Sequence, residues 1–299
     1  MTTHSVLLRR FAKLNVYKAK HGIAPHKPLL LLVVIELAEA GSISTRLNLT
    51  AELSYRFDCF WKVVAHRRTQ LPNVRLPFHH IGGDKLWSPF DEHDRPSKDK
   101  SITTWVELVS DFREALRDTE FRHFARRVLI ATYFQPAERR ALYSLLDMDV
   151  PDDDAEAINA MFEAPDDAHA SGRDGRFRID IVTAYDFTCA LTGYRVTTIT
   201  GGAIVDAAHI HQFSDSRNND PRNGMALCKN AHWLFDTGLW SLDDEFRVIV
   251  AKEQFAEAAP QQTPLSDLSG RKLLLPDDQR HWPDVKHIRW HRKHRFQGI

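Results

Sequence analysis

The chain has 299 residues, 43% of them hydrophobic and 27% charged, with a formal net charge of zero. That length allows two domains of ordinary size, and the composition is that of a soluble globular protein rather than a disordered or fibrous one. The longest apolar run, Pro28 to Ile35, stops at Glu36 and is too short to cross a bilayer, so no membrane partner is expected. The first ten residues lack a basic region followed by a long apolar one, which argues against a secretion signal. Three widely spaced cysteines, Cys59, Cys189 and Cys228, argue against a disulfide framework and for a reducing cytoplasm.

In chain order, residues 1–20 read as an amphipathic helix with Val6, Leu7, Phe11, Leu14 and Tyr17 on one face. Pro28 then suits the first turn of a second helix, because its missing N–H would be unpaired there anyway. Leu29 to Ala40 is apolar almost all round, which predicts a buried central helix stopped at Gly41. Residues 50–65 carry Leu53, Phe57, Phe60 and Trp61 at helical spacing. R-L-P-F-H-H-I-G-G-D-K-L-W, with Pro77, Gly82-Gly83 and Trp87, predicts a strand, a tight turn and a strand. Asp91 to Lys100 is a charged loop, and Trp105 to Tyr133 predicts one or two helices.

Between Ala141 and Gly172 there is no Lys or Arg but nine acids, from Asp147 to Asp167. The rest of the chain therefore has nine more basic than acidic residues, which suits a polyanionic partner. Residues 147–172 are expected to be an acidic linker, with a short helix near Ala155–Phe162. The expected organisation is residues 1–146, this linker, and a second domain over 173–299. Phe177, Ile181 and Tyr185 predict a helix at the start of that second domain. Short strands follow near L-W-S-L and F-R-V-I-V, and the basic, aromatic tail K-H-I-R-W-H-R-K-H-R-F predicts a last helix.

Val205 to Trp240 holds the chemistry. An apolar run carries Asp206 and His209, a turn-rich loop ends at Asn223-Gly224, and Met225 to Cys228 leads into a helix with His232 and Asp236. Phosphodiester hydrolysis needs a deprotonated water, charge stabilisation at phosphorus and help for the leaving oxygen. A histidine serves the first because its ordinary pKa lies near neutrality, and a divalent ion serves the other two. His209 is the expected general base and His232 the expected metal ligand. Asp206 is one acidic candidate, although in a regular strand it faces away from His209. Asp236 is the other, since i and i+4 share a helix face. Asn223 is expected to fix the loop and orient His209.

This segment resembles the HNH endonucleases, in the branch with A-A-H-I, then N-G, then H-x-x-x-F/L-D. His209, Asn223 and His232 stand at the three name-giving positions, with spacings of 14 and 9. The resemblance extends over about 173–299 through F-R-I-D-I-V-T-A-Y-D-F-T-C-A-L-T-G and I-R-W-H-R-K-H-R-F. It implies a ββα-metal fold, water activation by His209, and a divalent ion, Mg2+ or Mn2+, on His232. Ala208 stands where many relatives carry an acid or His, which leaves Asp206 and Asp236 open. Thr192 and Ala231 stand where paired C-x-x-C knuckles would need Cys, so no structural zinc is expected.

P-H-K-P-L-L-L-L and P-F-H-H-I-G-G-D-K-L-W resemble the sulfur-binding domain of McrA-like type IV restriction enzymes. This implies a reader of double-stranded DNA carrying a backbone phosphorothioate. His26 and Lys27 would stand at a helix N-terminus, which favours an anion. An apolar wall from Pro77 with Leu76 or Phe78 would suit the poorly hydrated sulfur, with Arg75 and His79 or His80 on the adjoining phosphate. Leu76 departs from the aromatic the family favours.

The fold expected is thus α+β in two domains, a helix-rich α+β DNA reader followed by an HNH nuclease. The function expected is modification-dependent restriction. The alternatives are a methylated-DNA-dependent HNH endonuclease and a non-catalytic regulator that binds modified DNA. Two strands require two cuts, which makes a homodimer attractive.

Overall fold

A computed structural model of the chain describes residues 3–19, 22–65, 71–152, 167–200, 202–251, 254–258 and 261–298. The expected short helix at Ala155–Phe162, and with it most of the acidic stretch, lies outside the described residues. The chain divides into two compact units, Met1–Arg176 with Thr198–Gly202, and Phe177–Thr197 with Ala203–Ile299. Among the described residues no helix is long and apolar enough to cross a membrane.

The first unit is built round α2 (His26–Glu39), which follows α1 (Thr3–Phe11). Leu29 to Ile35 are all fully buried, as an all-round apolar sequence demands. The helix stops where expected. Gly41 takes φ +72, and Ser42 N–H reaches back to the Leu37 carbonyl at 2.9 Å, closing the last turn. One charge is buried within this helix. Glu36 accepts from Arg126 at 2.8 Å and from Arg176 at 3.0 Å, and Arg126 also meets Glu39. Burial pushes the Glu36 carboxyl up, against the pull of Arg126, Arg176 and Arg56. Breaking one such pair would strand a buried charge.

α3 (Ala51–Val64) packs on α2, capped by the Thr50 hydroxyl, which accepts from Leu53 N–H at 3.2 Å. α4 (Arg75–His80) also packs on α2, where a strand was expected. The helical spacing of buried Val74, Phe78 and Ile81 outweighs the hairpin look of the glycines. The Asn73 side chain accepts from Arg75 N–H, and Pro77 sits in the first turn, where its missing donor costs nothing. Gly82 and Gly83 lie in a 3-10 turn, and the chain reverses at Lys85, φ +60.

A three-stranded antiparallel sheet follows. β1 (Arg46–Asn48) and β2 (Trp87–Phe90) flank β3 (Trp105–Leu108). The start of the helical stretch expected over Trp105–Tyr133 is therefore a central strand, Trp105–Leu108. Val106 and Leu108 are buried and Glu107 is exposed, a period of two that the longer helical stripe after it masked. The helices α5 (Ser110–Ala115), α6 (Thr119–Tyr133) and α7 (Pro136–Leu145) complete this unit. α1 is shorter than expected. Leu14 is buried beyond its end and donates its N–H to the Tyr133 hydroxyl at 2.7 Å, while Tyr17 is 70% exposed.

α8 (Asp167–Ala184) leads into the second unit, and Phe177, Ile179, Ile181 and Val182 are buried there. β4 (Val205–His209) pairs antiparallel with β5 (Gly224–Cys228), setting His209 opposite Gly224 and Asp206 opposite Leu227. α9 (Lys229–Asp236) follows directly and packs on both strands, giving the expected strand, strand, helix order. A second hairpin, β6 (Trp240–Leu242) with β7 (Val248–Val250), packs against α10 (Val285–His294).

His291 of α10 is the buried polar centre of this unit. Its Nε2 donates to the Phe235 carbonyl at 3.1 Å, because a carbonyl can only accept. Its Nδ1 therefore accepts from the Ser241 hydroxyl at 2.9 Å. Its ring stacks on Phe235 at 3.7 Å. Burial pulls its pKa down from 6.5 to about 4. The unfolded chain takes up this proton near pH 6.5 and the folded one only near pH 4, so stability is lost as pH falls between those values. The loss amounts to about 3 kcal/mol by the lower limit. Urea unfolding across pH 7 to 4 should show it, and His291→Gln, neutral with one donor and one acceptor, should flatten that part of the profile.

Candidate active site

His209 ends β4 with its ring held on two sides. Phe177 of α8 stacks on it at 4.0 Å and 9°, and Phe213 tilts against it at 5.4 Å. The stack depends on Gly224 across the ladder. A β-carbon there would lie 2.6 Å from both Phe177 Cζ and Ile181 Cδ1. Gly224 has φ −141, extended backbone that any residue adopts, so the site needs glycine for space and not for conformation.

His209 Nε2 lies 2.8 Å from Asn219 Oδ1. An amide oxygen accepts, so Nε2 carries the proton and Nδ1 holds the lone pair. The residue orienting His209 is thus Asn219, where Asn223 was expected. Asn223 is fully buried and holds the loop itself. Its side-chain N–H groups reach the carbonyls of His211 at 2.9 Å and Asn218 at 3.1 Å, and its Oδ1 accepts from His211 N–H at 2.8 Å. That closure carries Asn219 to the imidazole. Asn218-Asn219-Asp220 has the look of ordinary turn residues, and no spacing rule singles out its middle member.

His232 and Asp236 share a face of α9, with Nε2 3.3 Å from Oδ2. Burial pushes the Asp236 carboxyl up, against the attraction of His232, Arg295 and His209. Asp236 is therefore within electrostatic reach of both histidines. Asp206 is placed otherwise. It lies an odd number of strand residues from His209, and its Oδ1 is 3.8 Å from Arg178 Nε. Among the described residues no group of three or more His, Cys, Asp or Glu side chains converges as a metal cage. One imidazole and one carboxylate with open positions is still a donor set that suits a hard divalent ion completed by water and phosphate. Elsewhere in this unit, Cys189 and Cys228 are free cysteines, and burial pushes the Cys228 thiol up.

In the first unit, His26 begins α2 and its ring lies 4.6 Å from Trp61. Lys27 is largely buried and paired with Asp84 at 2.6 Å. Arg75 and Leu76 are half-exposed at the start of α4, with Pro77 buried behind them. Phe78 is fully buried against Trp87, so it supports the surface from within. His79 Nδ1 meets the Thr103 hydroxyl at 2.8 Å. Burial, then the neighbouring His80, holds its imidazole below the usual value. His26-Lys27 and residues 75–79 thus lie on two helices packed together.

Residues 189–243 match the family described as HNH endonuclease, and residues 4–149 match the family described as ScoMcrA-like, DNA sulfur-binding domain. The chain joins a ScoMcrA-like DNA sulfur-binding domain to an HNH endonuclease domain. Two solved structures are similar to parts of it. One, "Modification dependent TagI restriction endonuclease", is 21% identical with a TM-score of 0.30, covering 40% of this chain and 36% of that one. The chain thus spans little more than a third of that enzyme's length. The other, "Sulfur binding domain of SprMcrA complexed with phosphorothioated DNA", is 16% identical with a TM-score of 0.37, covering 53% of this chain and 99% of that one. Among curated proteins none matches.

Gly224 is a tight steric constraint in the HNH domain. Gly224→Ala should destabilise this domain by about 1–3 kcal/mol through overpacking against Phe177 and Ile181. Urea denaturation checks this, and Gly224→Ala combined with Phe177→Ala should recover part of the loss.

Proposed function

We propose that the protein is a modification-dependent restriction endonuclease. The sulfur-binding domain, within residues 1–146, holds phosphorothioated duplex DNA, and the HNH domain, within 173–299, hydrolyses a phosphodiester bond nearby. The observation that carries this is the His232–Asp236 pair on the helix that packs against the hairpin bearing His209, in a chain whose residues 4–149 match a DNA sulfur-binding family.

His209 Nδ1 takes a proton from water as its oxygen attacks phosphorus and the P–O3′ bond breaks. Asn219 keeps Nε2 protonated, so the lone pair stays on the other nitrogen. Asn223 keeps the loop closed without touching substrate. His232 and Asp236 are the side chains that would hold a divalent ion, with Asp236 favoured over Asp206 by its place beside His232. Such an ion, when bound, supplies charge stabilisation at phosphorus and at the leaving oxygen. In the reader, the α2 N-terminus with His26 offers N–H groups to an anion, and Leu76 over Pro77 offers apolar surface to sulfur. Arg75 and His79 flank it for the adjoining phosphate, and Lys27 holds Asp84 in place. Three free cysteines suit action in the cytoplasm, and the need for two cuts favours a homodimer.

The test is a set of matched duplexes, unmodified, methylated and phosphorothioated, each with Mg2+, Mn2+ or EDTA. The phosphorothioated duplex should bind at least about tenfold more tightly and be cut only with metal present. Equal affinity for all three duplexes would overturn the sulfur reading, and preference for the methylated one would replace it.

A further inference from the structure

Arg295 is brought to the nuclease site from the far end of the chain. Its backbone N–H continues α10 by donating to the His291 carbonyl at 2.9 Å. The chain then passes against Gly238, where a β-carbon would collide with the Arg295 carbonyl. Gln297 N–H donates to the Gly238 carbonyl at 2.9 Å, stitching this segment to the chain two residues past Asp236. The guanidinium is bracketed from the other side too. Its Nη2 is 3.4 Å from Asp215 Oδ2, and its Cζ is 5.9 Å from the Trp290 ring, which stacks on His211 at 3.8 Å, two residues past His209.

Three cations of the same helix are committed elsewhere. Arg289 and Arg292 both bind Asp244 at 2.6 Å, and Lys286 binds Asp284 at 3.0 Å. The contact of Arg295 with Asp215 is longer, between side chains 37% and 44% exposed, and such pairs are weak.

We propose that Arg295 exchanges Asp215 for the scissile phosphate and grips its non-bridging oxygens at His209, His232 and Asp236. This rests on the nuclease reading of that site. A guanidinium matches two phosphate oxygens with two parallel N–H groups. Those oxygens gain charge as water adds to phosphorus, so the contact strengthens in the transition state and acts on rate more than on binding.

The experiment is single-turnover cleavage by the full-length protein, with Mn2+, of whichever duplex it cuts fastest. Arg295→Ala should slow cleavage about a hundredfold, the usual cost of one such donor, while duplex affinity and Tm stay near wild type. Arg295→Lys should recover part of the rate, and added guanidinium ion should speed Arg295→Ala but not wild type. Gln297→Ala, which loosens the same segment but keeps the guanidinium, should keep the wild-type rate. Wild-type cleavage by Arg295→Ala, or an equal loss in Gln297→Ala, overturns the assignment while the nuclease reading stands. A wild-type protein that cuts no duplex overturns both.

Discussion

The second unit depends on an absent side chain. His209 and Gly224 face each other across the β4–β5 ladder, and only hydrogen at Gly224 lets Phe177 and Ile181 lie directly on the hairpin. Phe177 then stacks on the imidazole at 4.0 Å and fixes its plane. The residue before this glycine, Asn223, uses three side-chain hydrogen bonds to close the loop between the strands. Space at one position and closure at the next together aim a single histidine. α9 follows without an intervening loop and packs on both strands, with His232 and Asp236 together on one of its faces.

Much of this was legible in the order of residue types. Apolar runs of strand length gave β4 and β5, the i, i+4 spacing put His232 with Asp236, and an all-round apolar segment marked α2 as central. Errors arose where a local signal competed with packing. Gly82-Gly83 suggested a hairpin, but Val74, Phe78 and Ile81 bury one helical face. Val106 stood within the stretch expected to be helical, yet it belongs to a strand between two others. Asn219 could not be read at all. Its role comes from the closed shape of a loop, which hydrogen bonds ten and twelve residues apart create.

Charge follows the same rule that partners decide more than counts. The basic tail forms the expected last helix, and α10 packs on β6 with Arg289 and Arg292 clasping Asp244, which they hold down to about 2. Lys27, at a helix N-terminus that favours anions, is paired with Asp84. The zero net charge of the chain therefore says little about its surfaces. What distinguishes a cation available to phosphate is a weak or long ion pair beside the chemistry.

The central claim is that His209 activates the attacking water while the other half of the chain holds the DNA. The most direct measurement compares wild type with His209→Ala on one phosphorothioated duplex, recording cleavage with Mn2+ and affinity in EDTA. The account predicts that cleavage disappears and affinity is unchanged. Cleavage by His209→Ala at the wild-type rate would contradict it.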